Sequence, residues 1–500
     1  MKNFGVLLTH ELQSQMKSFT FVVMIPVALV VGLLVTNLQV TSYKDRMQVY
    51  SEQQKQSNER LDGIYVYSQF EVDVYVPPSA LSVFAKGLDE SIGNKITVSV
   101  IDSPELSATS QRSNAFIKIF NNIDISGIVK ILSIFMVLMA ACPIAMDRER
   151  QTGKLTLANS VGRLEYFLAK YAALMVVACI MTAVIFITPV VWMSFDPQIG
   201  LSLPAMGSIL LMMIFSILYL SFFVLVSLSI SAVSSKVSIA TISSLMVWAM
   251  LVFVYPFTVN SMINRLVKIP SESAMNEEIE QMDNEMSIEI GMFQNEHVRN
   301  HISWCGMGIS HYGIIDYCYV TTKDIFESYI MSNDFSLPKW WNRNDRVYDL
   351  KNSHKKKLLH KRKLYDRFAF FVPDNIYQNV CEQIANTNYD FREVQFMDAA
   401  RNYRNILIDY VRSKNGFGYA LFTQMPESEW RDTYDEYSQS VIDRYCNKQN
   451  FDKLFTAEVP RFTFFHRTKT DATWMVLLVL LNLALGGVSI TICNKFLTFK

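Results

Sequence analysis

The sequence predicts an α-helical polytopic membrane protein with six transmembrane helices, and three observations point to that class. Half of the 500 residues are hydrophobic and the mean hydropathy is +0.17, which is unusual for a soluble chain of this length. The apolar residues are concentrated in six runs, each close to the roughly 20 residues that a helix needs to cross a bilayer. Basic residues flank those runs mainly on one predicted side of the membrane.

Each apolar run is predicted to form one membrane-spanning helix. A buried core helix explains any single run, but it does not explain six of them in one chain. The chain has 46 basic and 46 acidic side chains, and this net charge of zero argues against a nucleic-acid partner. The predicted spans are 19–38, 127–146, 171–193, 206–230, 238–260 and 473–493.

The distribution of Lys and Arg predicts that both termini are cytoplasmic, because positive residues accumulate in short cytoplasmic connections. The short connection on the opposite side, 194–205, has neither Lys nor Arg. Lys130 lies near the outer end of the second run and is predicted to snorkel to the membrane interface. The basic residues predicted inside are Lys2, Lys17, Arg148, Arg150, Lys154, Arg163, Lys170, Lys236, Lys495 and Lys500.

Residues 1–18 precede the first run and are predicted to form an amphipathic helix on the cytoplasmic membrane surface. The apolar side chains of Phe4, Leu7, Leu8 and Leu12 fall on one face of such a helix. The stretch is followed by a full-length span and by no small-residue cleavage site, so it is not predicted to be a signal peptide.

The first long segment predicted outside the cytoplasm, 41–124, has the pattern of a small α/β unit. Alternating apolar and polar residues predict strands at 70–76 and 95–101. Between these two strands, the pair of prolines that begins at Pro77 predicts the start of a helix.

The second long segment, 263–471, is predicted to be a large, mainly helical domain outside the cytoplasm. Its helices are expected to break at prolines, Pro338 among them. Four cysteines in an oxidising compartment would allow two disulfides, and free buried thiols are an equally good alternative. No CxxC spacing favours a metal site. These cysteines are Cys305, Cys318, Cys381 and Cys446.

The sequence lacks the motifs of an enzyme that would act alone. The nearest stretch to a phosphate-binding loop, 152–155, lacks the upstream glycine and the hydroxyl residue after lysine. His10 and Glu11 begin like a zinc-protease helix, but Ser14 stands where the second histidine would be. The spans carry no Asp or Glu in their interior for an ion-driven carrier. We therefore predict that this chain has no catalytic site, metal or cofactor. The energy for transport is predicted to come from outside the chain.

The connection between the second and third spans carries a resemblance to a known family. Its residues Glu149, Gly153, Leu155, Arg163 and Lys170 follow the pattern E-x-x-x-G-T-L … P-V-S-R … K. This pattern is similar to that of ABC-2-type exporter permeases, in which the segment is a coupling helix that contacts the ATPase subunit. Three positions depart from the pattern and carry Lys154, Ser160 and Gly162.

Two outside segments resemble a branch of that family with a large insertion before the last span. Residues 76–94 contain the pattern P-S-x-L-S-x-F-x-x-G. Residues 385–404 are similar to the pattern A-G-T-D … F … A … Y-R, with Asn386 in place of its glycine. The resemblance follows one six-span layout along the whole chain.

The resemblance implies a permease subunit that exports a substrate and holds no cofactor itself. ATP and Mg²⁺ would be bound by a separate P-loop ATPase subunit, which would dock on the coupling helix at 147–170. A second permease copy or a related permease, membrane lipid and an extracytoplasmic protein are the other implied partners, and the bacterial inner membrane is the implied location. The residues implied in coupling are Asp147, Glu149, Arg150, Gly153, Leu155, Arg163 and Lys170.

Two other classes of function remain open at the level of sequence. A membrane-anchored receptor or scaffold would explain the large outside segment, but it would give the coupling-like connection no role. A membrane enzyme acting on lipids or peptides would require a catalytic constellation that the sequence does not display. Copurification of an ATPase separates the permease from both alternatives. The transported substrate is not indicated by any residue pattern.

Overall fold

The computed structural model is organised around a bundle of long helices. Its candidate membrane spans establish the predicted class, an α-helical polytopic membrane protein. The structure describes residues 4–61, 71–75, 78–87, 95–99, 105–107, 124–158, 161–196, 199, 202–297, 323–369, 372–388, 401–402, 404–409, 416–417, 422–423 and 472–496.

Six helical segments within the described residues are long and apolar enough to cross a membrane. Most extend beyond the runs from which they were predicted. The first run is only the start of a 43-residue helix, because the polar residues that follow it continue the same helix without a break. The candidate spans are Phe21–Gln53, Ile125–Glu149, Arg163–Ser194, Leu203–Val233, Val237–Leu266 and Ala472–Phe496.

The N-terminal part of the chain forms two helices and the beginning of the bundle. A turn at Lys17 and Ser18 separates α1 from α2, and the Ser18 hydroxyl accepts a hydrogen bond from the Phe21 amide at 3.2 Å. Such an N-terminal cap satisfies an amide that the new helix leaves without a partner. Helix α1 is Phe4–Met16, α2 is Phe19–Leu61 and α3 is Ile125–Ala141.

The segment predicted as one coupling helix, 147–170, does not form a single helix. Gln151 has a φ of 59°, a left-handed conformation that ends the preceding helix. Gly162 is extended (φ −68°, ψ 144°) and begins the next long helix. Helix α4 is Pro143–Glu149, α5 is Thr152–Ala158 and α6 is Arg163–Ser194.

Helix α7, Leu203–Val233, is the centre of the bundle and packs against α3 and α6. Its buried serines bond to neighbouring helices: Ser221 to Tyr171 of α6 at 2.7 Å and Ser229 to Ser489 at 2.9 Å. Small side chains of this kind allow helices to approach closely within a membrane. The helix that carries Ser489 is the last candidate span.

The fifth candidate span is interrupted by a π-helical turn at Met250–Val254. Pro256 follows this turn and has no N–H to donate to the carbonyl of Val252, so the regular helical pattern cannot continue through it. Helix α8, Val237–Ala249, precedes the turn, and α9, Tyr255–Leu266, follows it.

The first long segment predicted outside the cytoplasm, 41–124, contains a three-stranded antiparallel sheet, in the order β1-β2-β3. The helix predicted between the first two strands is only a 3₁₀ turn of four residues, Ala80–Val83, because the chain after it folds back onto the helical bundle. Strand β1 is Glu71–Tyr75, β2 is Lys95–Ser99 and β3 is Glu105–Ser107.

The second outside segment includes an antiparallel pair of long helices, α10 and α11. Phe293 stacks on Phe335 with ring centroids 3.9 Å apart, and Arg343 makes two hydrogen bonds to Asp283. The predicted break at Pro338 is wrong, because α11 continues through it. Packing against α10 offsets the roughly 3 kcal/mol that an interior proline costs. Helix α10 is Glu272–His297 and α11 is Lys323–Phe368.

The remaining described elements are a buried helix, two short strands and the last candidate span. The strands form an antiparallel pair, which adds β structure to a segment predicted as mainly helical. Helix α12 is Pro373–Ala385, β4 is Gly416–Phe417, β5 is Phe422–Thr423 and α13 is Ala472–Phe496.

Candidate functional site

The candidate site lies at the end of the bundle that carries α1, which we call the α1 end. Helix α1 packs against α6. The four apolar residues predicted to share one face, Phe4, Leu7, Leu8 and Leu12, are all partly buried. Glu11 lies on the same face and is also partly buried. A carboxylate on an apolar face requires a partner, because removing an unpaired charge from water is costly.

The partner of Glu11 is Lys170, which connects three helices. Its Nζ lies 2.7 Å from Glu11 Oε1 of α1 and 2.7 Å from Asp147 Oδ2 of α4. Tyr166 donates a hydrogen bond of 2.5 Å to Asp147 Oδ2, and Thr152 of α5 donates one of 3.1 Å to Asp147 Oδ1. We call these five residues the Lys170 cluster. It ties α1, α4, α5 and α6 together around one ammonium group.

Lys170 is only 3% exposed, so its side chain acts inside the protein. Its ammonium also lies over the ring of Tyr166, 4.9 Å from the centroid, an arrangement that favours a cation. Asp147 is partly buried and bonded on both carboxylate oxygens. Among the residues implied in coupling, Asp147 and Lys170 therefore form an internal brace.

Two arginines connect this end to the C-terminal helix. Arg148 donates to the carbonyl of Phe496 at 3.0 Å and to that of Ser234 at 2.8 Å. Arg163 donates to the carbonyl of Asn494 at 3.0 Å. The last carbonyls of a helix have no partner within it and carry partial negative charge. The cations are therefore well placed at the ends of α7 and α13.

Glu149 makes the complementary contact at a helix N-terminus. Its Oε2 accepts a hydrogen bond of 3.0 Å from the Val237 amide, the first residue of α8. A carboxylate is stabilised there by the free amides and by the positive end of the helix dipole. Thus Glu149, predicted from its motif position, links α4 to the fifth candidate span.

The other residues implied in coupling divide into exposed and buried groups. Arg150 and Arg163 are exposed, and Leu155 is 70% exposed on the seven-residue helix α5. Lys154 beside it is also exposed, whereas Gly153 is buried. Helix α5 thus presents Leu155 and the neighbouring Lys154 on its outer surface and rests on the bundle through its glycine.

The sequence interpretation missed several members of this site. Glu11 was considered only as part of an incomplete zinc motif, although an acidic residue on an apolar helix face is a signal for a buried ion pair. Tyr166 lies one helical turn before Lys170, a spacing that places the two side chains together. Nothing in the sequence pairs Glu11 with Lys170, which is 159 positions away.

A second polar cluster occupies the opposite end of the bundle, where α12 packs against α7, α13 and α3. Lys130 of α3 contacts Asp374 at 3.2 Å and donates to Gln378 at 2.7 Å. The prediction that Lys130 snorkels to the membrane interface did not include these acceptors on α12, which lie within reach of its ammonium group. Tyr219 of α7 also donates to Asp374, and its ring stacks on Tyr377 at 4.6 Å. We call this region the α12 end.

The two outside segments with family-like patterns meet at the α12 end. The Thr387 hydroxyl donates to the Ala85 carbonyl at 2.9 Å. Gly87 has a φ of +53°, and a Cβ at that position would lie 2.7 Å from Thr387 Oγ1. Asn386 has a φ of 58° and ends α12 in the left-handed conformation. The pattern has glycine at this position, and asparagine is the usual alternative to glycine there.

One of the four cysteines predicted to form disulfides or to remain free and buried lies among the described residues. Cys381 is a buried free thiol on α12, so a disulfide at Cys381 is not formed. Burial raises the pKa of its thiol to about 12, which keeps it protonated and unreactive. Cys305, Cys318 and Cys446 lie outside the described residues. Within the described part of the chain, no group of three or more potential ligands is arranged to hold a metal ion.

The fold and these contacts define a polytopic helical membrane protein with a polar cluster at each end of its bundle. A family model described as ABC-2 family transporter protein matches residues 6–411. The chain therefore belongs to the ABC-2 transporter family and is a membrane permease component of an ABC transporter. The comparison with curated proteins and the comparison with solved structures gave no match.

Proposed function

We propose that this permease exports its substrate and takes energy from a separate P-loop ATPase subunit that docks on the outer surface of α5. The observation that carries the proposal is the exposed leucine, Leu155, held on a short helix whose base is braced by the Lys170 cluster. Permeases of this family generally work with such an ATPase subunit, and a partly apolar surface with a neighbouring cation suits a stable protein contact.

The bonds at the α1 end provide a route for movement into the membrane helices. Thr152 links α5 to Asp147, and Asp147 is linked through Lys170 to α6 and α1. Displacement of α5 would therefore act on the second and third candidate spans and on the helix that precedes the first. Closely packed helices do not deform continuously, so the contacts between them change from one discrete arrangement to another.

The remaining partners follow from the same proposal. ATP and Mg²⁺ would be held by the ATPase subunit, and a second copy of this chain or a related permease would complete the pathway. The α1 end would face the cytoplasm of a bacterial cell, with the protein in its inner membrane. Lipid would surround the exposed apolar faces of the spans.

A membrane-anchored receptor or scaffold is the second candidate function. The long antiparallel pair of α10 and α11 favours it, because such an arm offers a large surface away from the spans. In that case the Lys170 cluster would serve stability alone. Binding of an ATPase is the property that separates the two candidates.

The test is a pulldown of the tagged full-length chain from its native host in mild detergent, with an assay of ATP hydrolysis. Two exposed leucines at opposite ends of the bundle provide matched variants: Leu155→Asp on α5 and Leu203→Asp on α7, the latter 89% exposed. We expect Leu155→Asp to reduce the copurified ATPase at least about tenfold, as loss of a buried apolar anchor does. Leu203→Asp should retain it.

Two outcomes would contradict the proposal in different ways. Equal retention of the ATPase by both variants would show that docking does not involve α5. Absence of an ATPase from the unsubstituted chain, under conditions that preserve other ABC complexes, would favour the receptor.

A further inference from the structure

An exposed basic stripe follows one face of α11 near its C-terminal end. Lys356, His360, Lys363 and Arg367 are all exposed. They are spaced by four, three and four residues, the spacing of neighbours on one face of a helix. We call these four residues the basic stripe.

The stripe lies beside the end of a candidate membrane span. The Tyr255 hydroxyl of α9 donates to the Phe368 carbonyl at 2.9 Å, and His354 contacts the Pro270 carbonyl at 2.9 Å. The last part of α11 therefore runs antiparallel to 255–270, the end of the fifth candidate span and its continuation.

The level of the stripe matches that of lipid headgroups. Exposed Phe257 and exposed Asn264 mark the change from apolar to polar surface along α9. Because Tyr255 pairs with Phe368 and Pro270 with His354, Lys363 lies about level with Asn260 and His360 about level with Asn264. The headgroup layer extends about 5–8 Å beyond the hydrocarbon core. Lys363 and His360 therefore lie at the change from apolar to polar surface, and Arg367, about 6 Å deeper along α11, can extend its long side chain to the same layer.

Acidic groups do not cover the stripe within the described residues. On α10, the acidic side chain of Asp283 contacts Arg343 of α11, which lies N-terminal to the stripe. Asp366, next to the stripe, accepts hydrogen bonds from Asn375 and Asn379. The segment beside the stripe, 255–270, has no Asp or Glu, so the local surface is cationic.

We propose that the basic stripe binds the anionic headgroups of phospholipids in the leaflet at the α12 end. Arg and Lys recognise phosphate through charge-assisted hydrogen bonds, and an anionic membrane attracts each basic residue near its surface. Phe368 is exposed at the membrane end of the stripe and continues it into the apolar region. Lipid bound here would hold the base of α11, and hence the outside arm, against the membrane.

The experiment compares two double variants of the full-length chain that remove equal charge. Lys363→Gln with Arg367→Gln alters the stripe. The control, Lys55→Gln with Arg346→Gln, alters two exposed residues. Along their helices, Lys55 lies about 26 Å past the predicted end of the first span, and Arg346 lies about 33 Å beyond Phe368. Native mass spectrometry in neutral detergent would measure the Kd for added phosphatidylglycerol, for phosphatidylcholine and, as an acidic-protein probe, for poly-glutamate.

We expect the stripe variant to weaken phosphatidylglycerol binding by at least about fivefold, since each basic residue near an anionic lipid surface contributes substantially. Phosphatidylcholine binding and the control variant should be unchanged, and Lys363→Arg with Arg367→Lys should restore binding. Equal phosphatidylglycerol affinity in both variants would overturn the proposal. Loss of poly-glutamate binding alone, with lipid binding intact, would overturn it in favour of an acidic protein partner.

Discussion

Lys170 shows how a residue can be identified from sequence and yet have a different contact from the one expected. Its position in a family-like pattern marked it as a candidate for coupling. The structure buries its side chain between Glu11 and Asp147. A pattern of residue types along a chain does not contain the distance between α1 and α6, so neither the burial nor the acidic partners could be predicted.

Replacement of Lys170 by Met should destabilise the protein strongly. It leaves two carboxylates at a partly buried site without their cation, and breaking a buried ion pair in this way typically costs about 3–5 kcal/mol. Thermal unfolding in detergent would measure the effect. Lys154→Met is the matched control, because Lys154 is exposed, and its unfolding temperature should be unchanged. Equal unfolding temperatures for the two variants would show that the cluster does not brace the fold.

Helix α12 is the element that was hardest to anticipate. Its segment is predicted to be mainly helical with breaks at prolines, but the sequence does not indicate that a helix there docks against α7. That docking depends on contacts such as Tyr219 with Asp374, which are 155 positions apart. The positions of the spans, in contrast, follow from local composition, although the helices extend beyond the apolar runs. Their apolar runs could therefore be predicted, whereas the continuous passage of α11 through Pro338 depends on a tertiary partner, α10.

Stability at the α12 end should depend on pH through Glu382. Burial raises the pKa of this carboxyl, and contacts with Gln378 and Arg362 lower it by less. The folded state therefore favours the protonated form more than the unfolded state does. Stability should be greatest below the ordinary pKa of about 4.5 and should decrease as the pH rises from there through the raised folded-state pKa.

The measurement is the unfolding temperature in detergent between pH 4.5 and 8 for the unsubstituted chain and for Glu382→Gln. Glutamine preserves the acceptor for Gln378 without a charge, so the variant should lose this part of the pH dependence. Glu277→Gln, at an exposed position of α10, should retain it. A Glu382→Gln profile parallel to that of the unsubstituted chain would contradict the assignment.

At the scale of the whole molecule, the class and the six membrane helices could be predicted, and the arrangement at the two ends could not. Six apolar runs predict six membrane helices because the bilayer sets a minimum length. The charged residues at the ends obey no such local rule. Each of the Lys170, Lys130 and Gly87 contacts joins segments that are far apart in sequence.

The proposed orientation can be tested by labelling single cysteines in intact cells. In a chain whose seven cysteines are replaced by serine, Arg346→Cys should react with a membrane-impermeant maleimide. Lys154→Cys should react only after permeabilisation. Both positions are exposed, so burial does not limit either reaction. The reverse pattern would place α5 outside the cell and would exclude an ATPase at this surface.

Helix α2 has a mechanical consequence that follows from its length alone. Its 43 residues make a rod of about 64 Å at 1.5 Å per residue, and only Lys17 and Ser18 separate it from α1. Helix α1, which carries Glu11 of the Lys170 cluster, leads directly into this rod, and the rod also packs against strand β1. A tilt of about 5° at Ser18 displaces the Leu61 end by roughly 6 Å, about the length of one helical turn.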